Sequence, residues 1–353
     1  MKRTRCLYLI SLCFLALFVV GMSERCLAAD VSKPDKVIVW KLQCNFPPPE
    51  KTFGYLGTYG RSMELARKVK ERTKGGLDIK VFAPGTLFKE FEALDAVKKG
   101  ALEMIASTGS YHTGLLPEAF LEWGLPYCFQ TSEQAAKLHL KTDYLKIMRQ
   151  AYEKRNMYLL GIFSASSYNY ITRFPVSSLT DLKGKMIRAS GMSAKIAGAH
   201  GAVPAMISGA EQYMALQRGT IDGTLYPPYT GLSYKLFEVV KYLSWPSVYA
   251  ASTDDIIINF NAWEKLPAAY QVIVQEEADK LRAYSFEISG PALEKVARDE
   301  GKKLYGVESI YMSKEEFAKF QNAVTPLWAE LGTKSDLCAK LVNIAKEVGG
   351  ITR

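Results

Sequence analysis

The sequence predicts an α/β protein of two lobes that share strands and enclose a cleft. Three observations carry this expectation. A chain of 353 residues, 48% apolar and 23% charged, has material for a core and exceeds the roughly 250–300 residues at which single cores stop growing. Its first third reads strand, helix, strand, helix, strand, the order that gives a parallel sheet with helices on its faces. A second α/β series follows with no low-complexity tether, so the chain is expected to cross between the lobes more than once. Small ligands favour such clefts.

The elements follow in order. Met1-Lys2-Arg3-Thr4-Arg5, an apolar run from Cys6 to about Met22, and the exit Cys26-Leu27-Ala28-Ala29 have the three parts of a cleavable signal peptide, residues 1–29, which implies export to the periplasm. Val37–Leu42 reads as a strand, 55–73 as a helix stopped by Gly75-Gly76, Leu77–Phe82 as a strand, Phe91–Lys99 as a helix and Leu102–Ala106 as a third strand. Ser132 or Thr131 caps one long amphipathic helix running to about Lys154. Met157–Phe163 is apolar throughout, as buried parallel strands are. The second series comprises Tyr168–Thr172, Lys185–Ala189, helices near Ser193–His200 and Ala210–Arg218, a strand at Thr220–Leu225 and a strong strand at Asp254–Phe260. From Pro267 onward the pattern is almost entirely helical. Lobe 1 is expected to hold residues 30–160 and about 250–285, lobe 2 residues 161–249 and about 286–353 with the C-terminal helices.

Composition narrows the function classes. The mean hydropathy of −0.05 is too polar for a protein of many membrane spans. The net charge of +9 includes four bases and one acid in the leader, so the exported chain carries +6. No stretch clusters Lys and Arg with interleaved aromatics, which argues against nucleic acid and leaves a modest field that favours small anions. Cys44, Cys128 and Cys338 remain after processing, an odd number at spacings that match no zinc or redox motif. They read as buried small side chains, with at most one disulfide among them.

Enzyme signatures are missing. The sequence contains no GxGxxG, GxxxxGK[ST] or GxSxG motif, and its three histidines lie far apart. His139 and His200 read as surface or helix-end residues, and His112, in the loop after the third strand, is the one placed where a cleft could use it. Asp254-Asp255 reads as a pair of strand-edge charges, since neighbours on a strand point to opposite faces. The weight falls on a binding protein without catalysis, cofactor or metal.

One residue stands out. Arg188 sits in a short strand of otherwise apolar residues, and a guanidinium buried there unpaired is costly. It faces either a carboxylate of the protein or a ligand carboxylate held by two parallel hydrogen bonds.

The run Asp181-Leu182-Lys183-Gly184-Lys185-Met186-Ile187-Arg188, followed by Glu211-Gln212-Tyr213-Met214-Ala215-Leu216-Gln217-Arg218-Gly219-Thr220-Ile221-Asp222-Gly223, resembles the signature of TRAP transporter solute-binding proteins of the C4-dicarboxylate-binding (DctP) type. The resemblance implies a periplasmic-binding-protein-like Venus flytrap, with crossing strands and a long helix spanning both lobes. It also implies a small organic acid as ligand, Arg188 as its carboxylate partner, and the membrane subunits of a TRAP permease as partners. Rival functions are the binding component of an ATP-driven importer or sensor, and a secreted enzyme acting on carboxylates.

Two departures shape the expected ligand. Where relatives commonly carry a second arginine, this chain has Tyr168, and where they carry a ligand-bonding Asn it has Tyr226. Exchanging a cation and an amide for two rings favours a monocarboxylate with an aromatic or aliphatic body. Some relatives that take 2-oxo acids bridge the ligand through a metal held by a Glu just past this strand, but Pro227-Pro228-Tyr229 offers none. Tyr111, His112, Phe163, Tyr170, Tyr213 and Trp245 complete the candidate lining, and the turn at Asn45-Phe46 is a candidate partner from lobe 1.

Overall fold

A computed structural model describes residues 36–48 and 57–351. The expected signal peptide lies outside them. The chain opens with β1 (Ile38–Cys44), α1 (Thr58–Arg72), β2 (Leu77–Phe82), α2 (Ala93–Lys99) and β3 (Met104–Ser107). Both β2 and β3 pair with β1 in parallel, as right-handed strand-helix-strand units require. The helices stop where left-handed backbone is available, α2 at Gly100 with φ 76°.

The region expected as one long helix is two, α3 (Ser132–Lys141) and α4 (Tyr144–Glu153). Thr131 begins α3 with a reciprocal capping box to Gln134. At the break, Thr142 takes extended backbone; its hydroxyl donates to the Leu138 carbonyl at 2.5 Å and accepts from the Tyr144 amide at 3.2 Å. A short polar side chain thus offers the backbone an alternative to the helical ladder that the amphipathic pattern does not reveal.

β4 (Met157–Thr172) runs for 16 residues, joining the two strands expected at Met157–Phe163 and Tyr168–Thr172. The serine-rich middle resembles a loop in sequence, yet it continues the strand through register shifts between Ser164 and Ser166 and between Ser166 and Tyr168. Beyond it come α5 (Leu179–Leu182), β5 (Met186–Arg188), α6 (Met192–Ala199), β6 (Val203–Ala205), α7 (Gln212–Arg218), β7 (Gly223–Tyr226), α8 (Thr230–Ser233) and β8 (Tyr242–Trp245). The chain then returns through β9 (Tyr249–Asn259) and α9 (Phe260–Glu264).

Strand order is β2-β1-β3-β9-β4-β7-β5-β6, with β8 beside β4. β4 and β9 are antiparallel and run together from Met157↔Asn259 to Tyr168↔Tyr249. The first part of β4 belongs to the lobe of β1–β3, and its end pairs with β7 and β8 of the other lobe. Close approach at this junction is set by Gly223, where a Cβ would come within 2.5 Å of the Thr172 methyl.

The helices α10 (Ala268–Tyr284) and α11 (Gly290–Tyr305) form one rod joined by a π turn at Ser285–Ser289, about 57 Å long at 1.5 Å per residue. Its start packs on α1 and its end on α8, so it spans both lobes. At the π turn the Ser285 hydroxyl accepts from the Ser164 amide at 2.9 Å, tying the rod to the middle of β4. Last come β10 (Glu308–Tyr311), parallel to β8, then α12 (Lys314–Gly332) and α13 (Asp336–Val348). No described helix is long and apolar enough to cross a membrane. Cys44, Cys128 and Cys338 are buried free thiols, and burial pushes those of Cys44 and Cys128 up to about 12.

Gly290 sits where the rod touches β4, and a Cβ there would overlap the Ser164 hydroxyl and lie 2.9 Å from the Ser285 carbonyl. Gly290→Ala is therefore expected to destabilise the fold by about 1–3 kcal/mol, the range for overpacking. Urea unfolding of wild type and variant measures it through the midpoint at constant slope.

Candidate functional site

Arg188 ends β5, a strand held in parallel between β6 and β7 with Arg188 opposite Ala205 and Thr224. Its side chain is fully buried, at 0% exposure. Nε donates to the Ile207 carbonyl at 3.0 Å, and Nη2 donates to the Tyr111 hydroxyl at 3.1 Å. Nη1 is buried with no hydrogen-bond partner, and Arg188 takes part in no ion pair among the described residues. The sequence left two partners open, an internal carboxylate or a ligand; among the described residues no carboxylate forms an ion pair with it, and Glu90 acts on it only through its charge at longer range.

Rings enclose the cation. The guanidinium carbon stands 4.6 Å from the centroid of Tyr226 and 5.9 Å from that of Tyr111. The two hydroxyls lie 3.3 Å apart. Tyr168, buried on β4, packs on Trp123 at 4.5 Å between centroids and edge-on to Tyr226 at 6.2 Å. Burial opposes the charge of Arg188, and the hydroxyls of Tyr111, Tyr226 and Tyr168 outweigh it, so its pKa rises. Burial likewise pushes the phenols of Tyr111, Tyr168 and Tyr226 upward. They are neutral near pH 7, so they solvate the cation without supplying a counter-charge.

The other lobe meets this site at two places. The 3-10 turn Gly109–Tyr111 brings Tyr111 to Arg188, and a Cβ on Gly191, whose φ is 53°, would strike the Ser110 carbonyl. Glu90, in the loop after β2, accepts from the Gly209 amide at 3.2 Å. Burial raises the pKa of Glu90, while the Gly209 amide and the nearby Arg188 work the other way. A separate buried ion pair, Arg61 Nη2 to Asp254 Oδ2 at 3.3 Å, lies beside Tyr229 of the second lobe, with Thr58 also bonded to Asp254. Burial pushes Asp254 up to about 7 against the pull of Arg61.

Of the residues expected to line the cleft, Tyr111, Tyr168 and Tyr226 gather around Arg188, and the others do not. His112 turns into the first lobe, where both ring nitrogens face protein groups. Phe163 packs in that lobe's core with Ile256 and Ala278. Tyr170 lies two residues beyond Tyr168 along β4, where its hydroxyl is 2.7 Å from His200 Nδ1 and not at Arg188. Tyr213 is on the outer face of α7, donating to Glu238 at 2.9 Å, while its neighbour Gln212 turns inward to Thr224. Trp245 stands beside Arg298. Asn45 serves as a support within lobe 1, donating to the Glu90 carbonyl and the Ser107 hydroxyl.

Three other expectations are corrected. Asp254 and Asp255 do point to opposite faces, but β9 is a central strand between β3 and β4 and both side chains are buried. His139 and His200 are buried rather than superficial. Helix-end positions in sequence say nothing about what packs over them, here Phe286 on His139 and Phe320 on His200. Glu90, and Tyr234 with its ring 6.3 Å from that of Tyr226, carry no motif that points to them in the sequence. The signal for Glu90 is its place after a parallel strand, at the carboxyl end of the sheet.

Two α/β lobes sharing strands, with a buried cation between them, define the class of binding proteins that close on a small ligand. Residues 58–335 match the family described as bacterial extracellular solute-binding protein, family 7 (DctP). The chain belongs to that family, the solute-binding proteins of TRAP transporters, which are transport proteins that work outside the cytoplasm.

Among relatives, it is 27% identical to a monocarboxylate 2-oxoacid-binding periplasmic protein of Nostoc sp., over 66% of this chain and 63% of that protein. It is also 27% identical to the C4-dicarboxylate-binding periplasmic protein DctP of Rhodobacter capsulatus, over 77% of this chain and 80% of that one. The fold is similar to a Bordetella pertussis extracytoplasmic solute receptor binding pyroglutamic acid, with a TM-score of 0.79, 22% identity, and 88% and 100% of the two chains covered. It is similar as well to a TRAP solute-binding protein of Desulfovibrio salexigens with bound orotic acid, with a TM-score of 0.79, 23% identity, and 88% and 98% covered.

The buried histidines give a pH prediction. His200 Nε2 donates to the Phe320 carbonyl at 3.1 Å, so Nδ1 accepts from Tyr170 and the ring is neutral. Burial lowers His200 to about 4 and His139 to about 3. Because these folded values lie below the unfolded value of about 6.5, the unfolded chain takes up protons first, and each ring lowers stability as pH falls from 6.5 towards its folded value. In an NMR titration both imidazoles are expected to remain neutral at about pH 5, where a free imidazole is almost wholly protonated.

Proposed function

We propose that the protein captures a small monocarboxylate with an aromatic or aliphatic body between its lobes in the periplasm, and delivers it to the membrane subunits of a TRAP permease. The observation that carries this reading is Arg188: a fully buried guanidinium with an open Nη1 and no ion-pair partner. A ligand carboxylate there adds charge-assisted hydrogen bonds and supplies the missing counter-charge. The rings of Tyr168, Tyr226 and Tyr111 provide stacking surface and no second cation, which favours one acid group over two. The Nostoc relative named for monocarboxylate 2-oxo acids supports the same ligand class, whereas relatives named for dicarboxylates set the alternative.

The test is titration calorimetry of purified wild type and Arg188→Ala against phenylpyruvate, 2-oxoisovalerate, pyroglutamate, succinate and malate. Monoacids are expected to bind more tightly than the two dicarboxylates. Arg188→Ala is expected to lose about 2–5 kcal/mol of binding, as when one partner of a buried charge pair is truncated. Unchanged affinity in Arg188→Ala removes the carboxylate role, and tighter binding of succinate or malate removes the monoacid assignment.

A further inference from the structure

Beneath the two lobe contacts runs a chain of side chains that belongs to neither the core nor the cation site. It starts on β1, where Gln43 Nε2 donates to the Phe88 carbonyl at 2.8 Å and to Asn45 Oδ1 at 3.2 Å. Gln43 Oε1 accepts from the amides of Leu87 and Phe88 at 3.1 and 2.9 Å. Asn45 Nδ2 donates to the Glu90 carbonyl at 3.0 Å and to Ser107 Oγ at 3.2 Å. Ser107 Oγ, which accepts from Asn45, can give its own proton to His112 Nε2, 3.2 Å away. That makes Nδ1 the protonated nitrogen of His112, and it points at Asp255 Oδ2 at 3.1 Å. Tyr152 also donates to that oxygen, at 3.3 Å.

All five residues are buried, and they stand at the carboxyl ends of β1 and β3, in the turn after β3, and on β9. What they hold is specific. Gln43 and Asn45 fix the loop from Leu87 to Glu90, and Glu90 is the residue whose carboxylate receives the Gly209 amide of the other lobe. His112 closes the turn that presents Tyr111 to Arg188, and the same turn is tied to β9 by Thr108 Oγ1 donating to the Thr253 carbonyl at 3.0 Å. A buried polar network fixes geometry where its members are satisfied, as Asp255 Oδ2 is by His112 and Tyr152, while Asp255 Oδ1 has no hydrogen-bond partner.

We infer that the chain Gln43–Asn45–Ser107–His112–Asp255 is a positioning device, which sets Glu90 and Tyr111 at the height where they meet the second lobe. His112 is thus a positioning residue that acts through its neighbours. The inference deepens the proposed carrier function and rests on it for its purpose, though its test requires no ligand.

The measurement is amide hydrogen exchange on the full chain in buffer, read at Gly209, whose N–H is the one Glu90 receives. His112→Ala is expected to speed Gly209 exchange at least about tenfold while the amides of β2 keep wild-type rates, the pattern of a local opening. His112→Asn, whose amide can still donate to Asp255, is expected to stay within about threefold of wild type, and it serves as the second variant should alanine prevent folding. In a Glu90→Ala background the same histidine changes are expected to alter Gly209 exchange by less than about twofold, because the coupling partner is gone.

Wild-type exchange in His112→Ala, an equal increase in the Glu90→Ala background, or a parallel increase across β2 overturns the inference. A protein that shows this coupling but binds no acid in calorimetry loses the carrier function and keeps the positioning chain. One that binds acids without the coupling does the reverse.

Discussion

A guanidinium with one nitrogen unanswered, sealed between two lobes, is the constraint on which the site depends. Leaving a charge in a low-dielectric interior is expensive unless hydrogen bonds or a counter-ion offset it. Here the Ile207 carbonyl and the Tyr111 hydroxyl take two donors, and ring faces meet the cation at 4.6 and 5.9 Å. The tyrosine hydroxyls stay neutral, so the positive charge is solvated and not cancelled. An anion of matching geometry gains both the open donor and the counter-charge.

The scaffold explains why that cation is held still. β5 is short, but it lies between two parallel neighbours, and its last residue faces the crevice at the carboxyl ends of the strands, where open α/β sheets place their ligands. β4 and β9 carry the backbone from one lobe to the other and back, and the rod of α10 and α11 runs along both. The lobes therefore meet over shared strands rather than a loose tether. Contacts such as Tyr111 with Arg188 and Glu90 with Gly209 then depend on side chains set from below, by a polar chain that crosses three strands.

Aromatic substitution decides the chemistry of the pocket. Tyr168 packs tilted on Trp123 and edge-on to Tyr249 and Tyr226, so it is part of an aromatic wall built from β4, β7, β9 and the turn that carries Trp123. In the proposed function, such a wall would meet a flat or apolar ligand body by its faces.

Much was legible in order and periodicity: the strands of the first lobe, the helices after Pro267, and Arg188 in a strand of apolar neighbours, which only a partner could justify. The residue types Tyr168 and Tyr226 also announced an aromatic site. What failed did so for local reasons. Thr142 broke a helix by bonding its own backbone, the serines of β4 concealed a continuous strand, and His139, His200, Asp254 and Asp255 had polar identities that sequence assigns to the surface.

The amino-acid sequence alone determined most of the succession of strands and helices and pointed to Arg188 as a cation in need of a partner, because period, turn residues and burial cost act over a few neighbours. Only the tertiary structure decided which partners that cation has, that His112 faces Asp255 instead of the cleft, and that Glu90 reaches Gly209. Those outcomes depend on strand register and on elements brought together from positions more than a hundred residues apart, such as Glu90 and Gly209, and no local pattern encodes that distance.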